Sequence, residues 1–186
     1  MKTLAIALFI IFLNGCAVAH NEKEVSSTTS SGAVTILWQH PDKFRDIEAS
    51  NQLQTKFQQR IFDTLTKALN KSASKVLTQD QKLSLTVTDV DLAGEVRPTF
   101  GASPDDIRIV KDLYPPRINF SYVVTQDGNE IISGTEKLRD LGFLDRIHPA
   151  LDRPFSYETS LLTTWVKRVL TPKIESAKTP RAYSSQ

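Results

Sequence analysis

Cysteine is nearly absent from this sequence: its one copy, Cys16, lies behind an N-terminal apolar run and ahead of anything that reads as folded. The folded part therefore has no thiol for a disulfide, for redox chemistry or for a cysteine-based metal site. Glycine is scarce, at 7 residues, and G-x-G-x-x-G, P-loop and G-x-S-x-G patterns are missing, so no phosphate-cradling loop or nucleophile elbow is on offer. His20, His40 and His148 are scattered and make no ligand spacing such as H-E-x-x-H. Charge of one sign is not in excess either. With 23 Lys and Arg against 21 Asp and Glu, no bulk positive field gathers nucleic acid, and no nucleic-acid partner is expected. These absences leave no residue to nominate as catalytic, no resident metal and no cofactor.

Long hydrophobic runs are missing too. The apolar stretch Leu4 to Leu13 is well short of the about 20 residues that span a bilayer, but with Lys2 before it and small residues after it, it has the build of an export signal. Two processing sites compete. Leu13-Asn14-Gly15-Cys16 resembles the lipobox of bacterial lipoproteins, which makes residues 1–15 the signal peptide and Cys16 the lipidated first residue of a membrane-anchored protein. Ala17-Val18-Ala19 is a small-x-small site that would remove residues 1–19 and release a soluble periplasmic protein. The cysteine directly behind a glycine at the end of the apolar run favours the first. Ala17, next to it, resembles the outer-membrane sorting pattern.

Residues 16–32 read as a flexible tether, since His20 to Gly32 is polar and rich in Ser and Thr, with no apolar period. Residues 33–172 read as a single domain, and 173–186 as a loose tail. Within the domain, Ala33 to Trp38 is a β-branched apolar run, a strand. Leu53, Phe57, Ile61, Leu65 and Leu69 recur every four positions, which predicts a helix from about Asn51 to Lys71 capped by Ser50 or Asn51. Leu83, Leu85 and Val87 alternate with Ser84, Thr86 and Thr88, a second strand. The apolar phase then slips to Val90 and Leu92, which predicts a bulge or an end of pairing near Asp89.

Ile118 to Thr125 and Ile131 to Leu138 are two further strands, with Asp127-Gly128 signalling a hairpin between them. A two-residue turn would set Tyr122 against Ser133. A three-residue loop, Gln126 to Gly128, pairs Tyr122 with Ile132 and Phe120 with Gly134 and keeps the apolar faces together, so the second register is expected. Arg139 to Pro154 reads as a crossing loop that tucks Leu141, Phe143, Leu144 and Leu151 onto the core. Ser156 is expected to cap a second helix carrying Leu161, Leu162, Trp165, Val166 and Leu170 and stopped by Pro172. The order β-α-β-long loop-β-β-α predicts an α+β fold, a two-layer sandwich of one four-stranded, mostly antiparallel sheet with two helices on one face.

Trp38-Gln39-His40-Pro41 with Phe44 and Asp46, then Thr88 to Glu95, Asp106 to Arg117, Gly134 to Leu138, and Tyr157-Glu158 with Trp165 together resemble a proteobacterial family of exported proteins, the domain of unknown function number 3016. The resemblance covers roughly Val34 to Leu170 and implies an envelope protein. It carries no assigned catalytic residue.

Chemically, the unusual stretch is Asp89 to Arg117, a long excursion between the second and third strands. Asp89 and Asp91 share a face in an extended strand, as two carboxylates on a hard cation would, and equally as acceptors for arginine. Arg97, Arg108 and Arg117 lie in the same stretch with Asp112, and Arg supplies the two-pronged partner a desolvated carboxylate needs. The expectation is an ion-paired network that orders the excursion and leaves a recognition surface drawn from Asp89, Asp91, Arg97, Arg108, Asp112 and Arg117. The function expected is a noncatalytic binding or adaptor domain in the periplasm, taking an envelope protein or polymer as partner and touching the membrane only through its N-terminal lipid. A carboxylate- or metal-assisted glycan hydrolase using Asp89 and Asp91, and a small-ligand binder, are the alternatives.

Overall fold

The structure, a computed structural model, describes residues 26–50, 52–99, 106–145 and 153–178. The export signal, Cys16, residues 146–152 of the crossing loop with Leu151, and residues 179–186 of the tail lie outside the described residues. Among the described residues there are seven strands, β1 (Ser26–Ser31), β2 (Val34–Gln39), β3 (Gln81–Asp91), β4 (Glu95–Pro98), β5 (Asp106–Ile109), β6 (Arg117–Gln126) and β7 (Asn129–Arg139). The helices are α1 (Gln54–Ala73), α2 (Ser156–Trp165) and α3 (Thr171–Lys178), the last two joined by a π-turn, Val166–Leu170. Among the described residues no helix is long and apolar enough to cross a membrane.

The α+β class holds, and the sheet differs from expectation. It is five-stranded, ordered β1-β2-β3-β6-β7, and mixed: β2 and β3 are parallel and the other pairs antiparallel. Parallel pairing follows from α1, which returns the chain to the end of the sheet where β2 began. Val34, Ile36, Trp38, Leu83, Leu85, Val87, Ile118, Phe120, Tyr122 and Val124 all point to the face the helices cover, where each side chain contributes about 1.5–3 kcal/mol by leaving water. Trp38 stacks on Phe62 of α1 at 4.1 Å, and Trp165 of α2 meets Phe120 and Tyr122 edge-on at 5.0 Å, so α1 and α2 each bring an aromatic ring onto the sheet.

The part of the expected tether from Ser26 to Ser31 is strand β1. Its hydroxyls are what dock it. Thr29 is buried, its Oγ1 lies 2.6 Å from Thr66 Oγ1 of α1, and Trp38 Nε1 donates to it at 2.8 Å. A composition that reads as solvated is thus satisfied internally. Leu53, expected on the apolar stripe of α1, precedes the helix and is 65% exposed; the helix starts at Gln54, whose side chain accepts from Ala49 N–H and donates to the Ile47 carbonyl in place of a Ser50 cap, and Asn51 lies outside the described residues.

The β6–β7 hairpin corrects the expected register. Its turn is the two-residue one, with Asp127 at φ 49° and Gly128 at φ 83°, the left-handed pair a tight hairpin requires. A bulge at Ile131 then shifts the pairing by one residue, so Tyr122 faces Gly134 and Phe120 faces Glu136. The apolar faces stay together by a bulge, with no third loop residue.

Pro172 does not stop the last helix. The π-turn ahead of it widens the ladder, Thr171 N–H reaches back to the Val166 carbonyl, and the Thr171 hydroxyl bonds the same oxygen at 2.9 Å. The helix continues to Lys178 and buries Ile174, so the first residues of the expected loose tail are ordered. Phe155, in a left-handed conformation, stands at the N-cap of α2 in place of Ser156. In the crossing loop Phe143 is buried as expected, while Leu141 and Leu144 are exposed.

Candidate functional site

The phase slip in β3 is a bulge at Thr88. Val87 pairs with Phe120 and Asp89 with Asn119, so one extra residue sits on β3 and every later side chain changes face. Pairing continues beyond it to Asp91 opposite Arg117. Val90 and Leu92 go into the core, and Asp89 and Asp91 project together onto the side of the sheet that carries no helix.

The chain after β2 supplies the partners. It turns through a 3₁₀ turn, Pro41–Lys43, and runs beside the end of β3, where Asp46 N–H donates to the Val90 carbonyl and Leu92 N–H to the Asp46 carbonyl, at 3.1 and 3.0 Å. Arg45 is thereby set over both aspartates: its backbone N–H donates to Asp89 Oδ1 at 2.9 Å, and its guanidinium lies 3.9 Å from Asp89 and 3.8 Å from Asp91. Arg117 Nε approaches Asp91 from β6 at 3.5 Å. Burial pushes the Asp91 carboxyl above its usual range, opposed by Arg117 and Arg45.

The excursion folds back on itself as a β4–β5 hairpin, Glu95 opposite Ile109. Arg108, in β5, reaches out of it to Asp46 with a two-pronged pair, Nη1 to Oδ2 at 2.7 Å and Nη2 to Oδ1 at 2.9 Å, and donates further to the Glu48 carbonyl at 3.0 Å. Both side chains are about four-fifths covered, which makes this the strongest pair of the group. Gly94, at φ 88°, is the hinge: a Cβ there would meet the Ile109 carbonyl oxygen at 2.6 Å, so the close approach of β5 demands glycine. Its N–H donates to the Tyr114 carbonyl at 3.0 Å, closing the excursion at its base.

Glu158, like Arg45 and Asp46, is a member that sequence reasoning missed. It lies in the first turn of α2 and is 2% exposed, and its carboxylate accepts from Ala93 N–H at 2.7 Å, just before the Gly94 hinge. Burial raises its pKa, opposed first by that backbone hydrogen bond. Tyr157-Glu158 had carried only the family resemblance; nothing local in the sequence points to a contact with a residue sixty-five positions away.

Of the six predicted surface residues, the structure brings Asp89, Asp91 and Arg117 into one cluster, and Arg108 joins its edge through Asp46. Arg97 does not join. It pairs with Glu95 at 2.6 Å and with the Tyr114 hydroxyl at 3.3 Å on the exposed side of the hairpin. Asp112 is exposed in the turn before Leu113 and forms no ion pair among the described residues. Among the described residues no group of three or more His, Cys, Asp or Glu is placed to hold a metal ion. Chemically, the arrangement is a set of carboxylates and guanidiniums that neutralise one another and fix a loop.

This defines an α+β domain whose helix-free sheet face ends in an ion-paired clamp holding a hairpin excursion. Residues 32–168, a span that contains every member of the clamp, match the family described as Protein of unknown function (DUF3016), and the chain belongs to that family. No curated protein and no solved structure matches it.

Proposed function

We propose that the chain is a noncatalytic binding domain of the cell envelope, exported by its N-terminal segment, anchored to the outer membrane through a lipid on Cys16 and facing the periplasm. Its partner is an envelope protein, docked on the excursion. One observation carries the reading: Asp89, Asp91, Glu95, Arg97, Arg108 and Arg117 are spent on one another and on Arg45 and Asp46, while Ile107, Val110 and Leu113 remain exposed on the excursion, Leu113 at 74%. Exposed apolar side chains on a loop already ordered by ion pairs lower the ordering cost of association, which is the usual profile of a docking loop.

The test is site-specific photo-crosslinking in intact cells from position 113, with position 135 on the open sheet face as control. Recovery of the same protein adduct from 113 alone supports the reading, and no adduct, or equal adducts from both, contradicts it. Mass spectrometry of the mature N-terminus checks the anchor: a diacylglyceryl-modified Cys16 is expected, and an N-terminus at His20 would rule it out.

A further inference from the structure

A second feature lies away from the excursion, on the helical side. Between α1 and α2 runs a groove of about 600 Å³, within the size range of small-molecule sites. Its walls carry Lys67, Lys71 and Lys75 on one side and Arg153 and Lys167 on the other, and no Asp or Glu lines it among the described residues. None of these five cations forms an ion pair among the described residues. Lys67 and Lys71 are four residues apart on one face of α1, about 6 Å along it at about 1.5 Å per residue, and Lys75 stands in the turn just past the end of that helix.

That arrangement concentrates charge of one sign. Like charges four residues apart repel, and here the opposite wall adds two more cations in place of counter-charges. The floor between them offers hydroxyls, among them Thr64, Ser72, Ser156 and Thr159. Ser156 is the first residue of α2, whose N-cap carries no side-chain hydrogen bond, so the positive end of that helix opens into the same space.

We propose that this groove is a binding site for an anionic ligand carrying a short run of phosphate groups. Lysine ammoniums are compact point charges suited to phosphate, hydroxyls donate to its remaining oxygens, and several cations around one groove favour a ligand with several charges over one. The carrier is either a soluble polyphosphorylated compound or a lipid headgroup with more than one phosphate; both present the same chemistry to the groove. The site is independent of the excursion, so it stands or falls separately from the docking role of Leu113.

Calorimetric titration of the purified protein with inorganic tripolyphosphate tests it, with orthophosphate and citrate as comparisons and vesicles of phosphatidylcholine containing cardiolipin as a separate arm. Saturable binding of tripolyphosphate, tighter than orthophosphate and citrate and weakened at least tenfold by Lys71→Gln with Lys167→Gln, assigns a soluble ligand. Vesicle binding lost in the same variant assigns a headgroup. Lys56→Gln, on α1 outside the groove, serves as the control and should change neither. Lys56, Lys71 and Lys167 are exposed, so the variants should melt close to the parent. Absence of binding in both arms, equal binding by the variants, or citrate binding as tightly as tripolyphosphate overturns the proposal.

Discussion

Arg108 and Asp46 are 62 residues apart in sequence and meet as a two-pronged ion pair at 2.7 and 2.9 Å, tying the β4–β5 hairpin to the segment that follows β2. The pair is largely withdrawn from water, and Arg108 uses its remaining reach on the Glu48 carbonyl. Removing one partner leaves the other desolvated and uncompensated, which costs more than the pair itself contributes. Arg108→Met should therefore destabilise the protein by about 2 kcal/mol, and Asp46→Asn by a similar amount. The double variant should lose less than the sum. Denaturant melts of the four proteins measure the coupling, and strict additivity would mean that the two side chains do not act on each other.

Glu158 and Asp91 both have carboxyls raised by burial, and the sign of their pH dependence follows. A raised folded-state pKa means that the native protein binds the proton more tightly than the unfolded chain does. For Glu158 the penalty is absent below the ordinary value of 4.5, grows as pH rises from there through the raised pKa, and is complete above it. Glu158→Gln keeps an oxygen to accept from Ala93 N–H and removes the charge. It should melt at or above the parent temperature at pH 7, the difference shrinking toward pH 4. Glu158→Ala strands the Ala93 donor and opens a cavity, costing about 2–4 kcal/mol. A Gln variant that melts well below the parent at pH 7 would show that the ionised carboxylate is needed.

Thr29 holds the indole of Trp38 and the hydroxyl of Thr66 in one buried chain. Thr29→Val preserves shape and leaves Trp38 Nε1 without its acceptor, a loss of about 1–3 kcal/mol. Thr28→Val, one residue away and exposed, should change stability by less than about 0.5 kcal/mol. Equal effects at the two positions would show that β1 is not docked through its hydroxyls.

Gly94→Ala places a methyl against the Ile109 carbonyl at a positive φ that L-residues rarely adopt. The expected loss is about 1–3 kcal/mol, with β4–β5 displaced and the five-stranded sheet intact. Gly128→Ala keeps a positive φ but meets open space, so it should cost less, about 1 kcal/mol. Chemical shifts of the amides in β4, β5 and β6 distinguish the two.

Much of the sheet was legible because alternation and burial coincide: Leu83, Leu85 and Val87, then the slip to Val90, mark both the strand and its bulge. Strand β1 escaped because its docking is by hydroxyl hydrogen bonds, which composition reads as solvation. The β6–β7 register escaped because turn and strand conflict by one residue, and a bulge settles that conflict as cheaply as a longer loop. Pro172 misled because its ring is accommodated by a π-turn whose only sequence mark is the threonine before it. In the site, the stretch is rich enough in Asp and Arg to suggest ion pairs within it, and Glu95–Arg97 and Asp91–Arg117 are of that kind, while Asp89 and Arg108 pair outside it. The outside partners Asp46, Arg45 and Glu158 were not readable, because the tertiary fold alone brings them there.

The central claim is that these charges order the excursion, and amide hydrogen exchange in Arg108→Met tests it most directly. The account predicts that protection falls across Glu95–Pro98 and Asp106–Ile109 while the central strands β3 and β6 exchange as in the parent. Unchanged protection in β4 and β5, or a uniform fall across the whole sheet, would contradict it.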